Sequence, residues 1–86
     1  MTKGTLSNGF EYEVTDDVLD NWELLEILTE IDGGKTILIT KAFPMILGAD
    51  QFEKLKNHIR KDGKVSIVTM VNTFKDLMDC LNGGKK

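Results

Sequence analysis

The sequence predicts an α+β fold that is mostly α: a short N-terminal β-hairpin followed by three to four short helices in a compact bundle. Two patterns support this prediction. Between Phe10 and Val14 apolar residues alternate with glutamates, which is the period of a half-buried strand. After Val14 the apolar residues recur at steps of three and four, which is the period of amphipathic helices. The 86 residues predict a single domain, 1–86, because domains commonly hold roughly 100–200 residues.

The hairpin is predicted over residues 3–14. Asn8-Gly9 is a strong turn signal, because a type I′ turn needs positive φ at both of its central residues. The second strand supplies most of the apolar face of the hairpin, namely Phe10, Tyr12 and Val14. A hairpin this short needs helices packed against that face to be stable.

The first helix is predicted over residues 16–32, a stretch that carries seven carboxylates and no lysine or arginine. Thr15, Asp16 and Asp17 are each suited to cap its start, and Gly33-Gly34 ends it. Trp22 belongs to an apolar row of residues spaced three apart. We expect this side chain to fix the helix to the Phe10/Tyr12 face of the hairpin.

The second helix is predicted over residues 36–47 with a kink at Pro44, since proline cannot donate a hydrogen bond to the helical ladder. The three apolar residues from Ile37 to Ile39 also suit a strand, which stays open as an alternative.

Two further helices follow. The third is predicted over residues 50–62, with Asp50 and Glu53 forming an acidic capping box. The fourth is predicted over residues 66–82 with Ser66 as its N-cap, and residues 83–86 form a frayed tail with Gly83 at the C′ position.

Composition excludes several classes of protein. A net charge of -3 argues against nucleic-acid binding, which needs a clustered basic face. No apolar run approaches the roughly 18 residues of a membrane span. The single cysteine, Cys80, cannot form an internal disulfide, so a reducing compartment and a cytoplasmic location are expected.

No set of residues predicts catalysis or a metal or cofactor site. His58 is the only histidine, so a His-based metal cluster cannot be assembled. Gly34-Lys35-Thr36 resembles the end of a phosphate loop, but Thr29 occupies the position of the earlier glycine. The acidic residues that begin at Asp16 lack the spacing of a calcium loop. The prediction is a protein that is not an enzyme and has no cofactor.

The apolar helix faces exceed what a domain of this size is expected to cover, and a surplus apolar patch marks a protein partner. The predicted partner-binding surface consists of Ile39, Phe43, Met45, Ile46, Met70, Phe74 and Met78.

The order of these features along the chain is similar to that of a known protein family. The segments "LSNGFEYEV", "DDVLDNWELLEIL" and "ILGADQFEKLKNHIRKDGKVS", followed by a final amphipathic helix, resemble small tail assembly chaperones of long-tailed, siphovirus-type bacteriophages and prophages of Gram-positive bacteria. The resemblance extends from about Leu6 to Leu81.

The resemblance implies a non-enzymatic protein of the bacterial host cytoplasm. Such chaperones bind the tape measure protein, help to recruit tail tube subunits and are absent from the mature virion. For this chain, charge and hydropathy predict no nucleic-acid or membrane partner, and homo-oligomer formation stays open. The family often produces two lengths by ribosomal frameshifting, for which the Gly84–Lys86 codons are a candidate site.

Two alternatives remain at this point. One is a structural head–tail connector or minor virion protein. The other is a small bacterial regulatory binding module, for which Lys54, Lys56, Arg60 and Lys61 provide a slight basic cluster.

Overall fold

A computed structural model describes residues 1–82, and the predicted tail at 83–86, with its Gly83 cap and candidate frameshift site, lies outside the described residues. The elements are β1 (Thr2–Thr5), β2 (Glu11–Val14), α1 (Trp22–Asp32), a 3₁₀ turn (Thr36–Leu38), α2 (Ile39–Ile59) and α3 (Ile67–Leu81). A two-stranded antiparallel hairpin thus precedes three helices, which confirms the predicted fold class.

The hairpin closes through a different turn from the one predicted. The backbone N–H of Leu6 donates to the carbonyl oxygen of Phe10 at 2.8 Å, which leaves Ser7, Asn8 and Gly9 as the loop. Gly9 has a φ of 89°, whereas Asn8 does not have positive φ. The type I′ prediction is therefore wrong, because a three-residue loop needs only its last residue in the left-handed region.

Helix α1 begins at Trp22, later than the predicted residue 16. Its N-cap is Asn21, whose side-chain oxygen accepts hydrogen bonds from the backbone of Glu23 and Leu24 at 3.0 and 3.3 Å. Asp16 is not the cap: its carboxylate instead accepts a hydrogen bond from the Thr2 hydroxyl at 2.9 Å. Residues 16–19 form turns instead.

Gly33-Gly34 ends α1 as predicted. The N–H of Lys35 donates to the Glu30 carbonyl, and the N–H of Gly34 donates to the Ile31 carbonyl, both at 3.0 Å. This pair of bonds is a Schellman motif, which satisfies carbonyls at the end of the helix.

Helix α2 corresponds to the predicted second and third helices. It starts from the 3₁₀ turn, so the strand alternative for Ile37 to Ile39 is wrong. Its dihedral angles stay helical through Pro44, and the break lies instead at Gly48, with φ of 81° and ψ of 157°. This region is accessible essentially to glycine alone, so Gly48 separates the halves 39–47 and 49–59.

The second half of α2 ends at Ile59, short of the predicted residue 62. Asp62 and Gly63 have φ values of 53° and 83°, as a type I′ turn requires. Lys61 and Lys64 exchange two backbone hydrogen bonds across this turn, at 2.9 and 3.1 Å. The chain must leave the helix before Lys61 to form that small bridge.

Helix α3 begins as predicted after Ser66, whose hydroxyl oxygen accepts a hydrogen bond from the backbone N–H of Thr69 at 3.3 Å. Phe74 and Leu77 are buried on its inner face.

The hairpin is attached to the helices by side chains distant in sequence. Gln51 on α2 exchanges two hydrogen bonds with the backbone of Glu13, at 2.8 and 2.6 Å. The carboxylate of Asp76 on α3 accepts hydrogen bonds from the backbone and hydroxyl of Ser7, at 2.7 and 2.9 Å. These contacts fix the strands and their loop to both helices.

The core is centred on α2. Phe43 is fully buried, and its ring lies 5.3 Å from that of Phe52 and 5.0 Å from that of Phe74. Trp22 does not join this core: 71% of the side chain is exposed, so the prediction that it fixes α1 to the hairpin is wrong. At about 100° per residue, Trp22 lies on the opposite side of α1 from Leu24, which is buried.

Candidate protein-binding surface

The seven residues predicted to bind a partner do not form one surface. Four of them are buried in the core, namely Ile39, Phe43, Ile46 and Phe74. Met70 and Met78 are half-buried against that core, and only Met45 is classed as exposed. The seven residues therefore do not form the predicted exposed surface, although Ile39, Phe43 and Met70 line one depression between α2 and α3.

A different set of apolar side chains is open to solvent. Within the helices and the 3₁₀ turn, more than half of the side chain is exposed at Trp22, Leu25, Ile37, Ile67 and Val68. Ile37 and Ile67 are the most exposed of these, at 76% and 79%. The two isoleucines line the same depression.

This depression, here called the α2–α3 groove, lies between the 3₁₀ turn, both halves of α2 and the start of α3. It has a volume of about 490 Å³. Its lining is apolar apart from two threonines and one lysine: Thr36, Ile37, Ile39, Thr40, Phe43, Phe52, Lys56, Val65, Ile67, Met70 and Val71. The half-buried Phe52 and Met70 share this lining with the exposed isoleucines and pack against the core.

Local features of the sequence place the two isoleucines at the groove. The Schellman motif at the end of α1 leads directly into the 3₁₀ turn that carries Ile37. The Ser66 cap makes Ile67 the first helical residue of α3, ahead of the residues that face the core. An apolar residue directly after an N-cap serine was the available signal for Ile67, and the prediction from periodicity missed it.

Lys56 is the cationic residue in the groove lining. Its ammonium group lies 5.0 Å from the centre of the Phe52 ring and 3.1 Å from a carboxylate oxygen of Glu53. A lysine in this position covers an aromatic face while its charge stays at the solvent boundary. The groove therefore presents a mainly apolar floor with a polar edge.

A second depression lies on the α1 side of α3 and shares Thr36, Ile39 and Val71 with the groove. It has a volume of about 570 Å³ and includes the charged residues Asp32, Lys75 and Asp79 in its lining. This mixed lining is less suited to an apolar segment than the α2–α3 groove.

The titratable side chains His58, Tyr12 and Asp16 contact neighbouring parts of the fold. His58 Nε2 lies 3.0 Å from the Asn8 carbonyl oxygen, and its ring lies 5.7 Å from the Phe10 ring. Burial raises the pKa of the Tyr12 hydroxyl, and the neighbouring Cys80 adds to the effect. The hydrogen bond from Thr2 lowers the pKa of Asp16. Within residues 1–82 no three His, Cys, Asp or Glu side chains are grouped as a metal ion would require.

The basic cluster considered for a regulator does not lie on one helix. Helix α2 ends at Ile59, so Arg60 and Lys61 belong to the following turn. Lys56 is already paired with Glu53. This arrangement lacks the continuous basic helix face that groove binding to DNA requires.

Among the described residues, no helix combines the length and apolar character needed to cross a membrane. No protein-family model, curated protein or solved structure matches the chain. The α2–α3 groove is the more apolar of the two depressions described above.

Proposed function

We propose that this protein is a non-enzymatic phage tail assembly chaperone that binds the tape measure protein and helps to recruit tail tube subunits. The supporting observation is the α2–α3 groove, with Ile37 and Ile67 exposed on it. An amphipathic helix of the client docks there through its apolar face, which is the helix-in-groove mode of recognition.

The energetic argument rests on the exposed isoleucines. Burying an isoleucine side chain fully is worth about 1.5–3 kcal/mol relative to leaving it in water. Ile37 and Ile67 are each more than three-quarters exposed, so most of that gain is available to a partner. A client helix that covers both side chains gains it, and its own apolar residues leave water at the same time.

The charge of the protein suits this role. A net charge of -3 and a surface rich in glutamate and aspartate oppose aggregation of a complex that contains a long apolar client. In this proposal the protein acts in the cytoplasm of the bacterial host and leaves before the virion is complete.

Co-expression with the tape measure protein tests the proposal. The wild-type chain should raise the soluble yield of the tape measure protein, and the two should co-elute on size exclusion. The double variant Ile37→Asp/Ile67→Asp should abolish both effects, because it places charges on the groove. Val68→Asp is the matched control, since Val68 neighbours Ile67 and is 70% exposed but does not line the groove.

Two results would count against the proposal. One is a client that is equally soluble without the protein and forms no complex with it. The other is recovery of the protein as a fixed component of purified virions, which would favour a head–tail connector or minor virion protein instead.

A further inference from the structure

Helix α1 has apolar residues on two opposite faces. Leu24 is buried, and Ile27, Leu28 and Ile31 are half-buried against the core. Trp22 and Leu25 lie on the other side of the helix, where 71% and 51% of their side chains are exposed. The packing of α1 in the fold accounts for the first face only.

The exposed face forms a continuous stripe. Trp22, Leu25 and Thr29 are spaced by three and four residues, so they follow one another along one side of the helix. The Thr29 hydroxyl donates to the Leu25 carbonyl at 2.9 Å, which uses its donor within the helix. We call these three residues the outer stripe of α1. Tryptophan is among the residues most enriched at the energetic centres of protein interfaces.

Three carboxylates flank one side of the outer stripe. Glu23, Glu26 and Glu30 lie along its border, and the whole segment 16–32 contains no lysine or arginine. Glu30 pairs with Lys35 at 3.1 Å. Glu23 and Glu26 form no ion pair with any described residue. A partner that covers the stripe therefore meets an uncompensated negative border.

We propose that the outer stripe of α1 is a docking surface for a basic amphipathic helix of a partner protein. The apolar ridge of that helix covers Trp22 and Leu25, and its lysines or arginines pair with Glu23 and Glu26. Charge complementarity selects this partner, because an acidic helix would be repelled by the same border. Nucleic-acid phosphates and anionic lipid surfaces are excluded by the same repulsion.

This surface is separate from the proposed client site. The outer stripe shares no residue with the α2–α3 groove, so the inference does not rest on the proposed function. The two sites can therefore be tested independently with variants of one or the other.

A designed peptide provides the probe. It carries leucines at helical spacing on one face and lysines on the other, and it contains no aromatic residue. Trp22 is the only tryptophan of the chain, so its fluorescence reports directly on the stripe. Binding of the basic peptide should shift the Trp22 emission to shorter wavelength, because the indole leaves water. A peptide with glutamate in place of every lysine should leave the emission unchanged.

Variants locate the binding. Glu23→Gln/Glu26→Gln should weaken the affinity for the basic peptide about tenfold, as the loss of two surface charge pairs predicts. Leu25→Ala should also weaken it. Glu11→Gln is the matched control, because Glu11 is an exposed carboxylate on the hairpin, and it should bind as the wild type does.

Three results would overturn the proposal. The first is the absence of any emission shift with the basic peptide. The second is an equal response to the acidic peptide or an unchanged affinity in Glu23→Gln/Glu26→Gln. The third is loss of binding in Ile37→Asp/Ile67→Asp alone, which would place the peptide in the α2–α3 groove.

Discussion

The rings of Phe43 and Phe74 meet edge to face, with their centroids 5.0 Å apart and their planes inclined at 75°. This contact joins α2 to α3 at the centre of the core. Aromatic pairs in this geometry contribute about 0.5–1.5 kcal/mol beyond the burial of their area.

Phe43→Ala should lower the free energy of unfolding by about 3–5 kcal/mol, because it opens a cavity at a fully buried position. Urea denaturation followed by far-ultraviolet circular dichroism measures the change. Phe43→Leu keeps most of the volume and should cost less, so the series stays informative if Phe43→Ala is unfolded. A cost below about 1 kcal/mol for Phe43→Ala would show that the side chain is a surface residue, as the sequence had suggested.

Trp22→Ala should change the free energy of unfolding by less than about 1 kcal/mol, because most of the side chain is already in water. Leu24→Ala, two positions along the same helix, should cost about 2–5 kcal/mol, since Leu24 is 1% exposed. Circular dichroism must follow both unfolding transitions, because the first variant lacks the only tryptophan. Equal costs for the two variants would contradict the orientation of α1.

Gly48→Ala should destabilise the protein by about 1–3 kcal/mol through backbone strain alone. A Cβ atom at Gly48 would meet no heavy atom within 4 Å, so no steric collision contributes. Gly33→Ala is the matched control, because Gly33 has an ordinary φ of -80°. That variant should be neutral or stabilising by up to about 1 kcal/mol. Thermal unfolding of the two variants measures the difference. Unchanged stability in Gly48→Ala would contradict the glycine-only backbone conformation at Gly48.

Stability should fall above about pH 10 because of Tyr12. Burial raises the pKa of this hydroxyl from its ordinary 10.0, so the fold favours the neutral phenol. The contribution of Tyr12 to the free energy of unfolding is complete below the pKa of the hydroxyl in the unfolded state. It is lost as the pH rises through the pKa of the hydroxyl in the folded state. Urea unfolding at a series of alkaline pH values should therefore show a shallower decline in Tyr12→Phe than in the wild type.

Lysine deprotonation affects both of these proteins equally, so the difference between them isolates Tyr12. Repeating the pair in a Cys80→Ala background removes the ionisation of the thiol while Tyr12 stays buried. If the proteins with Tyr12 and with Tyr12→Phe lose stability equally with rising pH in both backgrounds, the Tyr12 hydroxyl is in contact with water.

The sequence predicted elements better than it predicted which faces are covered. Alternation identified β2, and the Ser66 cap with its following periodicity identified α3. Trp22 shows why the burial prediction failed. A row spaced by three residues falls short of the 3.6 residues of a helical turn, so it winds by about 60° per step. The row that starts at Trp22 begins on the solvent side of α1 and reaches the core side at Ile31.

The chain contains two dipeptides that favour a type I′ turn, and the dipeptides alone do not show which of them adopts it. Asn8-Gly9 and Asp62-Gly63 both suit a type I′ turn, and only the second adopts it. The register of the hairpin decides the first case, because Leu6 lies opposite Phe10 and leaves three loop residues. Register depends on packing against the helices, which the dipeptide does not encode.

The α2–α3 groove contains three of the seven predicted residues, Ile39, Phe43 and Met70, but its most exposed residues, Ile37 and Ile67, were not predicted. An apolar surplus was expected, and the molecule does expose large apolar side chains. Phe43 and Phe74 were assigned to that surplus, although α2 and α3 cover them. Periodicity gives the apolar direction of each helix separately. It does not say which apolar faces meet, and so it cannot say which residues are left over.

The hydrogen bonds between Ser7 and Asp76 constrain the order of events during protein synthesis. The two residues are 69 positions apart, so the hairpin loop leaves the ribosome long before its acceptor on α3 exists. The side chain of Gln51, which bonds to the backbone of Glu13, also follows later in the chain, at a separation of 38 residues. Two strands alone are at best marginally stable in water. The hairpin can gain its α2 contact once Gln51 is available, but its loop cannot be fixed to α3 until most of that last helix has been translated.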